Sequence, residues 1–300
     1  MNRDSSLTVA AAQVESHLGD LESNLEKHLA VIDEARAAGV DVLLFPEMSL
    51  TGHGAGTEVL SLALERDHPM LKRLADAAGD MVAIVGIMEE GPAAQFYNTA
   101  IALTATGQPF LHRKINLATY GRLEEGKHFA SGRYVDTWEI GGPWRSSVLI
   151  CADLWNPGLA NLVALHGCTV LFSPISSAIE AVGGEFDNPS GWHLTVRFYG
   201  MVYGMPLVMA NRVGMEGDLR FWGGSCVVDA FGRMTAQADG DEETLVRATL
   251  DYETLRRARY LLPTVRDSNL GLVVREAQRL EGMIGVPESV RHTGEPPARN

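Results

Sequence analysis

Cysteine, long apolar runs and positive charge are all scarce in this sequence. Three cysteines, Cys151, Cys168 and Cys226, occur in 300 residues. No C-x-x-C pair is present, so free thiols are expected rather than a disulfide frame. No stretch reaches the roughly 20 apolar residues of a membrane-spanning helix. The opening run MNRDSSLTVAAAQV has no apolar core of secretory-signal length. A soluble, cytoplasmic protein with no membrane partner is therefore expected. With 25 basic against 38 acidic residues the formal net charge is −13, the wrong sign for a nucleic-acid partner. The nine histidines form no H-E-x-x-H or other close ligand spacing, so neither a metal nor any other cofactor is expected.

Forty-six per cent of the residues are hydrophobic, enough for a sizeable core. Leu7–Val14 reads as a strand. Leu21, Leu25, Leu29, Ile32 and Ala35 recur at helical spacing, and Gly39 is placed to end that helix. Val42–Phe45 is a short apolar strand, so the chain opens as strand–helix–strand, the order of a parallel pair. A helix over Pro69–Ala78 and a strand over Met81–Ile87 follow. Phe96–Leu103 and Pro109–Lys114 flank Thr106-Gly107 as a hairpin. Tyr134–Ile140 and Val148–Ile150 read as further strands, and Pro157 suits the first turn of a helix reaching His166. Beyond it come strands at Val170–Phe172, Leu207–Asn211, Ser225–Asp229, Met234–Ala238 and Thr244–Leu250. Two helices, near Trp192–Tyr203 and over Asp251–Tyr260, complete the pattern. The two halves read as one layered unit used twice. Residues 1–260 form the expected domain, and 261–300 a C-terminal extension whose end, with Pro287, Pro296 and Pro297, is expected to be poorly ordered.

Three chemically capable side chains fall at strand ends: Glu47 after Val42–Phe45, Lys114 after Pro109–Arg113, and Cys151 after Val148–Ile150. Ligands of open α/β sheets bind beyond the carboxyl ends of strands. A helix start near Cys151 would lower its thiol pKa. A carboxylate beside a thiol can take its proton, and a lysine can hold an oxyanion. Each also has an ordinary reading: a buried cysteine, a loop carboxylate and a hairpin lysine. His53, His112 and His128 lie near these stretches and read as surface or supporting residues. Cys168 and Cys226 read as buried and inert.

The stretches LLFPEMSLTG (43–52), HRKINL (112–117) and LICADLW (149–155) resemble the three signatures of the nitrilase, or carbon–nitrogen hydrolase, superfamily. YNTAIALTATGQPFLHRKINL, LEEGKHFASG (123–132) and GGSCVVDAFGRMTAQA (223–238) are similar to further family segments, so the resemblance runs from Leu7 to Arg259. It implies a four-layer α-β-β-α sandwich of the α/β class and a Glu–Lys–Cys triad of Glu47, Lys114 and Cys151. It also implies a second glutamate at Glu125, or at its neighbour Glu124, and an oxyanion contact from the backbone of Ala152. Tyr120, Trp155 and Ser176 are candidate substrate contacts. The implied function is hydrolysis of a non-peptide C–N bond in a small amide through a Cys thioester, in a homodimer or larger homo-oligomer.

Nitrilases proper show Cys-Trp-Glu where this chain has Cys151-Ala152-Asp153. The C-A-D-L-W run is similar to the glutaminase domains of NAD synthetases, without room after Arg259 for the synthetase domain. An amidase is therefore favoured over a nitrilase. An N-carbamoyl hydrolase would want a basic residue for a substrate carboxylate; Leu154, Trp155 and Asn156 supply none, leaving Arg197 and Arg212 as candidates. The alternative from another class is a catalytically silent binding or scaffold member of the family.

Overall fold

Successive residues of β1 (Ser6–Gln13) point to opposite faces, and both faces are apolar. Val9 and Ala11 enter one buried cluster, and Ala10 and Ala12 another. A strand buried on both sides belongs inside a layered sandwich. The structure, a computed structural model, describes residues 5–54, 56–183 and 185–284, the side chain of Thr57 aside. The remaining elements of the first half are α1 (Leu21–Ala37), β2 (Val42–Leu44), α2 (Val59–Leu62), α3 (Pro69–Ala78), β3 (Val82–Gly91), β4 (Gln95–Leu103) and β5 (Phe110–Arg113). The second half holds β6 (Trp138–Gly141), β7 (Trp144–Val148), α4 (Pro157–Leu165), β8 (Val170–Ile175), α5 (Asn188–Val202) and β9 (Leu207–Asn211). It continues through β10 (Val213–Glu216), β11 (Leu219–Trp222), β12 (Cys226–Val228), β13 (Met234–Gln237), β14 (Thr244–Asp251) and α6 (Tyr252–Leu261).

Among the described residues two six-stranded sheets form, in the orders β14-β1-β2-β3-β4-β5 and β6-β7-β8-β9-β12-β13. Each, read in that direction, has one antiparallel joint, then two parallel joints, then two antiparallel ones. The doubled unit read from the sequence is thus present as repeated topology. The inner faces meet in one core, where Val9, Val42 and Ile84 share a cluster with Val148, Phe172 and Met209. The outer face of the first sheet is covered by Leu25 and Ile32 of α1 and Leu71 and Leu74 of α3. The layers are α-β-β-α. β10 and β11 stand apart as a two-stranded hairpin. The chain divides after Pro263 into two compact units, the second containing α7 (Leu270–Ile284). The C-terminal prolines lie outside the described residues.

Two expectations change. Tyr134–Ile140 is a strand only over Trp138–Gly141, because its partner β7 offers pairing positions only from Trp144 to Ser146. The strand before Cys151 runs earlier than Val148–Ile150. Ser146, Ser147 and Val148 pair with Val170, Leu171 and Phe172, and the two serines are fully buried. Their small side chains fit a strand covered on both faces, which periodicity of apolar residues does not register. Leu149 and Ile150 continue past the strand, with Leu149 N donating to Phe172 O at 3.1 Å.

Candidate active site

Beyond β2 the chain turns over the rim of the first sheet, and Glu47 occupies the turn. Met48 has φ +48°, a left-handed conformation unusual for a side chain with a Cβ. The turn lies flat on β3, and a Cβ added to Gly86 would stand 2.2 Å from Met48 N and 2.6 Å from Pro46 O. Behind it, Ser49 Oγ accepts from Gly86 N (3.3 Å) and sits 2.9 Å from His28 Nε2. His28 Nδ1 lies 2.7 Å from Asn24 O. A carbonyl only accepts, so Nδ1 carries the proton and the neutral ring accepts from Ser49. Burial pushes the His28 imidazole down to about 4, against the opposing bond to Asn24.

Lys114 follows β5 directly. Its backbone is held from both sides, N–H to Asn98 O (2.8 Å) and carbonyl from Gly132 N (2.7 Å). Its Nζ lies 2.6 Å from Glu47 Oε1 and 2.7 Å from Glu125, with the ammonium 1 % exposed. Asn98 Nδ2 donates to the same Glu47 oxygen (2.7 Å) and to Glu125 (3.3 Å). Glu125 Oε2 also accepts from Ala118 N at 2.7 Å. Burial alone would lower the Lys114 pKa, but the charges of Glu125 and Glu47 outweigh it and hold the group well above the ordinary lysine value. Burial likewise works to raise Glu125, and the Lys114 charge overrides it, leaving the carboxylate far below its usual range. Glu124 is exposed and pairs with Lys127 at 2.5 Å. Of the two adjacent glutamates, the one joined to Lys114 is Glu125.

Cys151 comes from the second sheet. It opens the short 3-10 turn Cys151–Asp153 with φ +44°. Left-handed geometry at a non-glycine residue costs on the order of 1–3 kcal/mol and concentrates at functional sites. Burial pushes its thiol well above the free value, and the Glu47 charge pushes the same way, while Lys114 and the Ser176 backbone N–H oppose. The pKa-lowering expected from a nearby helix start is not observed: α4 begins only at Pro157. The resting group is a thiol, within electrostatic reach of Glu47, Lys114 and Glu125. Glu47 holds one oxygen in the Lys114–Asn98 grip and leaves the other, Oε2, without a hydrogen-bond partner.

The remaining candidates separate. Ser176 follows β8 and its backbone faces the thiol; its buried hydroxyl has no protein partner. Tyr120 is 42 % exposed, and burial of its ring, with the charge of nearby Cys151, raises its phenol pKa. Ala152 is buried in the cysteine turn. Trp155 packs on Trp192 (ring centroids 4.3 Å apart) and on Phe186. Arg197 donates to Gly232 O. Arg212 is buried, its two Nη atoms donating to Glu216 (2.7 Å) and Ser16 O (2.6 Å), whereas Arg197 is exposed and bonds through its Nε. Cys168 and Cys226 are buried, with burial raising each thiol to about 12.

Sequence reading missed Asn98, whose signal was a polar residue in the strand just before its apolar run Ala100–Leu103. Of the two readings of His53, surface or supporting, the structure has the second: its Nε2 lies 3.7 Å from Glu125 Oε1 with the side chain 10 % exposed. Burial works to lower the His53 pKa, and the contact with Glu125 outweighs it, raising the value. Glu47, His53 and Glu125 place ligand atoms within 4.8 Å of one another, the one such group among the described residues. The Lys114 ammonium already supplies a cation between its two carboxylates.

The carbon–nitrogen hydrolase family model matches residues 8–260. Over 319 aligned residues the chain is 30 % identical to the glutamine-dependent NAD(+) synthetase of Thermotoga maritima, covering 96 % of this chain and 54 % of that protein. It is 29 % identical over 281 residues to an (R)-stereoselective amidase of a Pseudomonas species, covering 92 % and 96 %. Among solved structures, the glutamine-dependent NAD+ synthetase of Acinetobacter baumannii in complex with ADP superimposes with a TM-score of 0.74 at 25 % identity, over 83 % of this chain and 46 % of that one. A double mutant of the amidase from Nesterenkonia sp. AN1 in complex with acrylamide superimposes with a TM-score of 0.77 at 22 % identity, over 92 % and 98 %. The chain spans about half the length of the synthetases it matches.

Proposed function

Since this chain belongs to the carbon–nitrogen hydrolase family, we propose that it is an amidase that cleaves the C–N bond of a small linear amide through a Cys151 thioester. The observation that carries the reading is the division of labour on Glu47. One oxygen is tied to Lys114 and Asn98, the other is unpartnered, and the Glu47 charge acts on the buried Cys151 thiol.

The free Glu47 oxygen takes the Cys151 proton as sulfur attacks the amide carbonyl carbon. Negative charge moves to the carbonyl oxygen, where the Lys114 ammonium and the Ala152 backbone N–H receive it. The C–N bond breaks, and the leaving nitrogen takes the proton from Glu47 and departs as ammonia or an amine. Water, deprotonated by Glu47, then attacks the thioester and releases the acid and the thiol. Glu125 keeps Lys114 charged and aimed. Ser176 and Tyr120 contact the substrate, and Trp155 supports the pocket wall through Trp192 and Phe186. The commitment of Arg212 to Glu216 and Ser16 supports an amide over an N-carbamoyl amino acid. Two copies pair through the exposed apolar face of α5, where Leu194, Phe198 and Met201 are 71, 48 and 48 % exposed and lie at helical spacing.

The test is ammonia release from a panel of small amides including glutamine, N-carbamoyl compounds and nitriles, with Cys151→Ala as the blank. Turnover of amides above the others is expected. Acid from nitriles without amide turnover would replace the reading with a nitrilase. Silence across the panel together with sluggish alkylation of Cys151 by iodoacetamide would leave the non-catalytic member of the family.

A further inference from the structure

Cys151 and Lys114 stand on different sheets, so an element must fix one against the other. We propose that Asp153 is a positioning residue for the reaction, its carboxylate clamping the turn that carries Cys151 to the chain on both sides of Lys114. The carboxylate is fully buried. Its Oδ1 accepts from Ile115 N (2.9 Å) and Asn116 N (2.7 Å), the two residues after Lys114. Its Oδ2 accepts from Ile150 N (3.1 Å), just before Cys151, and lies 2.9 Å from Nε2 of His112, two residues before Lys114. His112 is itself 2 % exposed.

Each oxygen therefore has a separate task. Oδ1 gathers the loop leaving Lys114, and Oδ2 joins the residue preceding Cys151 to the strand that leads to Lys114. Hydrogen bonds to an ionised acceptor are roughly twice as strong as neutral ones. Four of them hold Cys151 in a left-handed conformation that its Cβ disfavours. The turn is closed on itself as well: Asp153 N donates to Ile150 O (2.9 Å), and Leu154 N to Cys151 O (2.9 Å). Released from the clamp, Cys151 relaxes toward ordinary backbone angles and its sulfur shifts relative to Glu47 and Lys114. An uncharged amide does not do the same work. An amide at this position keeps an acceptor for Ile115 and Asn116 but turns N–H groups toward Ile150 N–H and the His112 ring.

Asp153 touches neither sulfur nor substrate, so its signature is a fall in the chemical step without a fall in substrate binding. The experiment compares wild type, Asp153→Asn and His112→Gln in the full chain. It measures the rate of Cys151 alkylation by iodoacetamide, kcat and KM for the best amide of the panel, and the melting temperature. For D153N, alkylation and kcat should fall by about tenfold or more, the scale of an ångström-level misplacement, with KM within about threefold of wild type. H112Q, which removes one of the four bonds, should show the same pattern with a smaller fall. The alkylation readout requires no amide, so its outcome is separate from that of the proposed activity. A folded D153N with wild-type alkylation and kcat, differing only in melting temperature, would overturn the assignment. Should D153N not be recovered folded, H112Q with wild-type alkylation and kcat would overturn it equally.

Discussion

Replacing Gly86 by alanine adds one methyl group to β3, behind the backbone of the Glu47 turn, and it should disable the site. The added Cβ would lie 2.2 Å from Met48 N, 2.6 Å from Pro46 O and 2.9 Å from the Glu47 carbonyl carbon. All three are backbone atoms of the turn, which has no rotamer with which to escape. Restoring ordinary contact of about 3.5 Å requires the turn to retreat by about 1 Å. Glu47 moves with it and leaves its 2.6 Å contact with Lys114. Misplacement on that scale costs about 10²-fold in a reaction that depends on alignment. Overpacking adds a stability loss of about 1–3 kcal/mol, shared with the Ser49–Gly86 bond. The assay is steady-state ammonia release alongside a urea melt, at a urea concentration where both proteins are folded. A folded Gly86→Ala variant with kcat within threefold of wild type would refute the claim that close approach of this turn to β3 sets the position of Glu47.

Three further outcomes are expected. Glu125→Gln should lower kcat by about 10²-fold, because Lys114 loses one of the two carboxylates that aim it, and destabilise the fold by about 1.5–3 kcal/mol through the lost charge-assisted bond. Glu124→Gln, on the surface, should stay within twofold, and parallel kinetics and melts distinguish the two. His28 is neutral in the fold and titrates at about 4 there, against an ordinary value of 6.5. The unfolded chain therefore binds its proton first as pH falls, and stability present above pH 6.5 is progressively lost down to pH 4. The full loss is about 3 kcal/mol, and urea midpoints at pH 7 and 4.5 should converge once His28→Gln is introduced. Iodoacetamide and mass spectrometry of the folded protein should find label on Cys151 and none on Cys168 or Cys226, which are fully buried and have no carboxylate acting on them to take the proton.

What could be read from the sequence followed local rules. Glu47, Lys114 and Cys151 stood out because each falls at a strand end and because their three stretches together resemble the family's signatures, and Glu125 because its segment resembles a further family stretch. The choice between Glu124 and Glu125 was not legible, since adjacent residues on an irregular segment have no periodicity to say which faces inward. Asn98 was hidden for a different reason: its role as a bridge between two carboxylates exists only after residues 47, 98 and 125 meet. The start of β7 was misread because buried serines look like surface residues to any apolar count. The thiol was expected to be acidified by a helix start, yet burial and the Glu47 charge decide its state, and both are properties of the assembled sheets.

The pairing of β1 with β14 joins residues 6–13 to residues 244–251, and this has a bearing on how the protein is born. A ribosome emits the chain from its N-terminus at about 5–20 residues per second. Glu47, Lys114 and Cys151 all emerge long before Thr244. Yet the sheet carrying Glu47 and Lys114 lacks its edge strand until Asp251 is out, and pairings of such long sequence separation form slowly. On the proposed mechanism, the nascent chain then exposes a thiol before Glu47 and Lys114 are set against it, and reactivity arrives last, with the closing strand. A chain stopped before Thr244 should alkylate at Cys151 like an ordinary free cysteine, with no trace of the control that Glu47 and Lys114 exert in the finished protein.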